Sequence, residues 1–151
     1  MKTIVMATGL CLLVLGSLAG QSAALIDEIL AEDRLTYGSA AYLLLGVTEQ
    51  IDEGQTRAEA VEILADLEAG LPELDAEDPI NLGELSLLIM RVFEIEGGLF
   101  YRIVQDGRYA ARELEFRRVI QGEAFPTMRV DGERGLRILN RAVALREEGR
   151  I

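Results

Sequence analysis

From Leu25 onward the chain alternates short apolar stripes of helical spacing with loops of glycine, asparagine and acid. Leu25, Ile26, Ile29 and Leu30 share one helical face and predict a short amphipathic helix. Leu35 to Val47 is apolar on nearly every side after Ser39, as expected of a helix in the middle of a bundle, and Gly38, Ala40 and Ala41 would let neighbours come close. The loop Glu49 to Gln55 follows, with Gly54 as its backbone-permissive position. Thr56-Arg57-Ala58-Glu59 then opens a helix running to about Ala69. Threonine followed three residues later by glutamate is a capping box: the Thr56 hydroxyl accepts from the Glu59 N–H, and the Glu59 carboxylate accepts from the Thr56 N–H. Gly70-Leu71-Pro72 is the expected stop, and Glu73 to Pro79 reads as an exposed acidic connector.

Asn81 and Glu84 repeat the cap pattern and predict a helix from Leu82 to about Ile95, with Leu85, Leu88, Ile89, Val92 and Phe93 on its core face and Gly97-Gly98 as its end. Leu99 to Val104 is rich in strand-favouring residues but has no pairing partner, so an extended connector is expected. Asp106 or Gly107 opens a helix through Ile120, ended by Gly122. Asp131 caps the last helix, whose stripe is Leu136, Ile138, Leu139, Ala142, Val143 and Leu145. The fold class that follows is all-α: a small helical bundle of five to six helices built from repeated helix-loop-helix units, in one domain spanning 25–151.

The first residues read differently. Met1-Lys2 is a short positive start, Ile4 to Ala19 is almost wholly apolar, and Ser22-Ala23-Ala24 offers small residues before a cut, so 1–24 is expected to be a secretory signal peptide. The apolar run is shorter than the roughly 20 residues that span a bilayer, and no other long run follows, so no membrane span is expected after cleavage. The expected location is exported, in the periplasm or cell envelope. Charge divides the remainder: residues 25–100 hold 18 acids against Arg34, Arg57 and Arg91, a balance of −15, whereas 101–151 hold 8 acids against 11 arginines, a balance of +3. The two halves are expected to dock through this asymmetry, with Arg112 and Arg118 pairing to the acidic half, or else to present arginines to an anionic partner. So acidic a chain argues against nucleic acid.

Sliding the chain on itself sets Tyr37-Gly38-Ser39-Ala40-Ala41 beside Tyr109-Ala110-Ala111, and Val61, Ile63 and Leu64 over Leu136, Ile138 and Leu139. Two such copies should pack together, with the helix from Leu82 between them. This pattern resembles the S-layer homology family, whose repeat is a helix, a glycine-containing loop and a second helix introduced by Thr-Arg-Ala-Glu, as stands at Thr56 to Glu59. In the second copy Asp131-Gly132-Glu133 would hold the signature position, and Gly83-Glu84-Leu85 the same slot in a partial middle copy. The chain departs from the family in having fewer than three full repeats, no Pro-Asp-Gly turn before Thr56 and no arginine in the second signature. The resemblance implies a non-covalent anchor to cell-wall polysaccharide or peptidoglycan, with Arg57 contributing to an anionic glycan site between repeats.

Beyond Ala24 there is no histidine, cysteine, lysine or tryptophan, so the usual general base, thiol nucleophile, Schiff-base amine and soft metal ligands are missing. Carboxylate-driven glycoside hydrolysis remains chemically open, but no carboxylate stands in an apolar setting that singles it out. The expectation is a non-enzyme, with no catalytic residue, metal or cofactor. Arg108 and Arg112 lie one turn apart with Tyr109 between them, a combination suited to an acidic sugar through forked guanidinium contacts and an aromatic platform. Candidate glycan-binding residues are therefore Arg57, Arg108, Tyr109 and Arg112, while Thr56, Glu59, Asn81, Glu84 and Asp131 are structural caps. The expected function is an exported module that binds cell-wall polysaccharide or peptidoglycan, or tethers an envelope assembly; the alternative is a periplasmic helical adaptor that binds a protein partner without glycan. Self-association is open, since a homo-oligomer would rebuild a multi-repeat arrangement.

Overall fold

The computed structural model describes residues 23–52, 54–67 and 75–151. Most of the leader, the helix end at Ala69, the Gly70-Leu71-Pro72 stop and the start of the acidic connector lie outside them. Among the described residues the protein is all-helical: α1 covers 23–30, followed by α2 (Tyr37–Val47), α3 (Arg57–Leu67), α4 (Leu82–Val92), α5 (Leu99–Ile103), α6 (Gly107–Phe116) and α7 (Gly132–Glu147). They share one apolar core in which Leu44, Leu64, Leu88, Ile89, Leu114 and Leu139 are fully buried, each contributing about 1.5–3 kcal/mol of burial energy.

The helices pack in pairs, α2 with α3 and α4 with α6. In each pair a glycine in the first turn of the first helix lets the second come close: a Cβ at Gly38 would meet Arg57, and one at Gly83 would meet the Gly107 backbone. α7 meets α1 at the same place, where a Cβ on Gly132 would overlap the Ile29 carbonyl. Three segments before the first helices of these pairs join in a closed ring. Tyr37 N–H donates to the Asp78 carbonyl (2.9 Å) and Leu82 N–H to that of Met128 (3.0 Å), while Gly132 N–H donates to that of Glu32 (2.9 Å). Leu35, Ile80 and Val130, one before each N-cap, are buried at the centre, with Leu35 N–H bonded to the Val130 carbonyl and Ile80 N–H to that of Leu35. The last residues of the acidic connector are thus paired backbone, with Pro79 bridged to Thr36.

The predicted caps form. Thr56 and Glu59 make the capping box, Asn81 and Glu84 make another, and Asp131 accepts from the Arg134 N–H. α2 is buried along Gly38–Leu45, as its apolar run predicts, and Gly54 adopts a φ of 97°.

Three expectations are corrected. Leu99 to Val104 is not extended: without a partner strand, this segment satisfies its backbone internally as α5, Arg102 N–H bonding the Gly98 carbonyl and Val104 N–H that of Phe100. α4 and α6 end before their glycines. Glu94 and Arg118 take left-handed conformations (φ 53° and 61°), with Ile95 N–H bonded to the Met90 carbonyl and Val119 N–H to that of Leu114. Finally, the repeat has a different register. Asn81 and Asp131 start helices equivalent to α2, and Tyr109-Ala110-Ala111 lies in α6, the counterpart of α3, because a cap pattern marks any helix start and does not tell first helices from second.

Candidate functional site

Thr56 precedes α3 on its own cap, which leaves Arg57 at the first helical position to face the segment between α1 and α2. There its Nη1 donates to Glu32 at 3.0 Å and its Nη2 to Glu28 at 2.9 Å. Glu32 is the centre of this cluster. Its other contacts are the Ser39 hydroxyl at 2.6 Å and the Thr36 N–H at 3.2 Å, so one carboxylate supplies the first turn of α2 with an acceptor and α3 with a counter-charge. Ser39, fully buried, is thereby satisfied. The guanidinium of Arg57 is committed to two carboxylates, and the residue ties α1, α2 and α3 together. Glu59, held by the Thr56 N–H and then by its hydroxyl, has its pKa lowered.

Glu84 has a comparable double task. Its carboxylate accepts from the Asn81 N–H at 2.8 Å and from the Tyr37 hydroxyl on α2. Burial first, and the Glu84 charge second, push the Tyr37 pKa well above its ordinary value.

The other sequence candidates gather around α5 and α6. Asp106 caps α6 through the Tyr109 N–H at 3.1 Å, and Tyr101 is buried beneath α5. Phe100 stacks on Tyr109 with ring centroids 6.0 Å apart and planes 11° from parallel. These rings border a cleft of about 280 Å³ lined also by Leu99, Arg112, Glu113 and Phe116. Glu113 closes one side, accepting from the Gly98 N–H at 3.0 Å and from Arg117 at 2.9 Å. Arg112 lines the cleft; Arg108 precedes it by one turn and is exposed. Among the described residues neither makes an ion pair, nor does Arg118. Among the described residues there are five ion pairs, two within the acidic half and three within the basic half, and none joins one half to the other.

Sequence reading missed the apolar character of this surface. Phe116 is 83% exposed and Phe100 69%, with Leu99, Ile103 and Val104 exposed nearby. The signal was the strand-like composition of Leu99 to Val104, which marks a helix with too little core to cover it. Sequence reading also passed over a groove between α7 and the segment after α6, of about 410 Å³, where Arg134, Arg137 and Arg141 converge with Gln121 and Asn140. Among the described residues there is no cluster of acids with the makings of a metal site, and no helix long and apolar enough to cross a membrane. Comparison with protein-family models, with curated proteins and with solved structures finds no match to this chain.

Proposed function

We propose that this chain is a non-catalytic module of the cell envelope that is exported and holds a cell-wall glycan at the α5–α6 cleft. The observation that carries this reading is the stacked Phe100–Tyr109 pair beside Arg112, a cation with no carboxylate partner among the described residues. An aromatic face packs against the C–H face of a sugar ring, while a guanidinium fork takes a carboxylate or phosphate on the same polymer. The literal Thr56-Arg57-Ala58-Glu59 signature carries the resemblance to S-layer homology modules. Here Arg57 is taken up by Glu28 and Glu32, and ligand contact falls to Tyr109, Arg112 and Arg108.

Sedimentation of the 25–151 chain with purified peptidoglycan sacculi tests this. Retention at low salt is expected to weaken about tenfold in Tyr109→Ala and in Arg112→Ala, the loss of one contact of roughly 1.4 kcal/mol. Absence of retention, or retention indifferent to both substitutions, overturns it. A second reading, a helical adaptor for an envelope protein, is favoured by the aliphatic extension of the surface through Leu99, Ile103 and Val104, which a sugar does not need. Under that reading the chain is not retained on sacculi, and Ile103→Ser abolishes capture of the protein partner.

A further inference from the structure

The groove along α7 has chemistry of its own. Arg134, Arg137 and Arg141 stand at positions i, i+3 and i+7, so they form one row about 10 Å long at 1.5 Å per residue. Opposite them is the segment that follows α6, which the left-handed Arg118 turns back so that Val119 and Ile120 enter the core. Gln121 and Asn140 add amide groups, and Val119 and Ile138 give the groove an apolar floor.

What distinguishes this row is how its arginines are held. Arg134 donates from Nη2 to the Glu123 carbonyl, and Arg141 from Nε to the Arg118 carbonyl at 3.5 Å. A carbonyl positions a guanidinium without cancelling its charge. Among the described residues neither Arg134 nor Arg141 makes an ion pair; Arg137 alone is matched, by Glu133 one turn earlier on α7. Two directed, uncompensated cations beside an apolar floor make a stronger local field than the same charges free in water. This happens on a chain whose net charge is −11, which repels anions at long range, so binding here relies on the groove itself.

We propose that this groove is a second binding site, for a short anionic polymer segment whose phosphate or carboxylate groups repeat at about the spacing of one helical turn, roughly 5 Å. Arg134 and Arg141, two helical turns apart, take alternate anionic groups through their remaining N–H donors, Asn140 and Gln121 donate to oxygens between them, and the carbon backbone of the ligand rests on Val119 and Ile138. None of these residues lines the α5–α6 cleft, so the site stands whether or not that cleft holds glycan.

The test is titration of the 25–151 chain with inorganic tripolyphosphate and, separately, with trigalacturonate, followed by calorimetry and by backbone amide shifts. One probe is expected to bind saturably and more weakly at high salt, with shifts centred on Gln121, Asn140 and Arg141; the better-held probe identifies the anion. Arg134→Gln and Arg141→Gln should each weaken binding about tenfold or more, as for loss of a charged hydrogen bond. Arg150→Gln removes the same charge outside the groove and should change nothing, as should Tyr109→Ala. Failure of both probes, shifts located elsewhere, or equal weakening by Arg150→Gln overturns the site. The amide shifts on the unaltered chain decide the matter even where a variant folds poorly.

Discussion

Replacing Arg57 by alanine separates a residue that holds the fold from one that holds a ligand. The Arg57 and Glu32 side chains keep only 23% and 15% of their exposure, whereas Glu28 keeps 69%. The bond to Glu28 is therefore close to a surface ion pair, contributing about 0.2–1 kcal/mol, and Arg57–Glu32 is the one that matters. A hydrogen bond between charged groups in such a setting contributes about 1.5–3 kcal/mol, and its loss leaves Glu32 with only the Ser39 hydroxyl and Thr36 N–H. The sum for Arg57→Ala is about 2–4 kcal/mol of stability. With a urea m-value of about 1–3 kcal/mol/M, the unfolding midpoint should fall by about 1 M or more at unchanged slope. Arg108→Ala, at an exposed position with no ion pair among the described residues, should stay within about 0.5 kcal/mol of the parent. A double-mutant cycle with Glu32→Ala should return a coupling of about 1–2 kcal/mol. Equal midpoints for Arg57→Ala and Arg108→Ala, or a coupling near zero, would refute the structural role. Any loss of sacculus retention in Arg57→Ala then has to be read beside its melting curve.

Two further outcomes follow from the packing and the buried hydroxyl. Gly132→Ala drives a Cβ into the Ile29 carbonyl and should cost about 1–3 kcal/mol or more, while Gly46→Ala, in open space on α2, should stabilise by about 0.4–1 kcal/mol; thermal melts of the pair that move the same way would contradict the close approach of α1 and α7. Tyr37 has a raised folded pKa, so its contribution to stability is complete below the unfolded value of 10.0 and is lost as pH rises through the folded one. In an ultraviolet titration, the difference between the parent and Tyr37→Phe should show Tyr37 ionising only as the fold gives way; Glu84→Gln should bring that ionisation forward, and a Tyr37 signal centred on the unfolded value would refute the buried bond.

Much of the fold was legible because it is written in short-range chemistry. The boxes at Thr56–Glu59 and Asn81–Glu84 and the cap at Asp131 place three helix starts, and the unbroken apolar run of α2 announces a helix surrounded by others. Helix ends were less legible. Glu94 and Arg118 occupy a conformation that disfavours a side chain by about 1–2 kcal/mol, and only tertiary packing of Ile95 and Val119 makes it worthwhile. The pairing of helices was not legible either, since the closeness of Gly132 to Ile29 depends on segments far apart in the chain. Around the candidate sites, sequence reading brought Arg108, Tyr109 and Arg112 together correctly on one helix, but the partners that decide their availability are distant. Glu32 claims Arg57 from another element, and Phe100 reaches Tyr109 only because α5 is helical. The row on α7 went unread, since the carbonyls of Arg118 and Glu123 that aim it come from the preceding segment.

The meeting of α1 with α7 has a temporal meaning. The earliest described helix to leave a ribosome finds its partner only when the last is made, and the entropy of closing so long a loop must be met before Gly132 can seat on Ile29. Until then the nascent chain cannot close its core, because Leu35 has no Val130 to bond. The contact that locks the domain is therefore the last to become available as the chain is made.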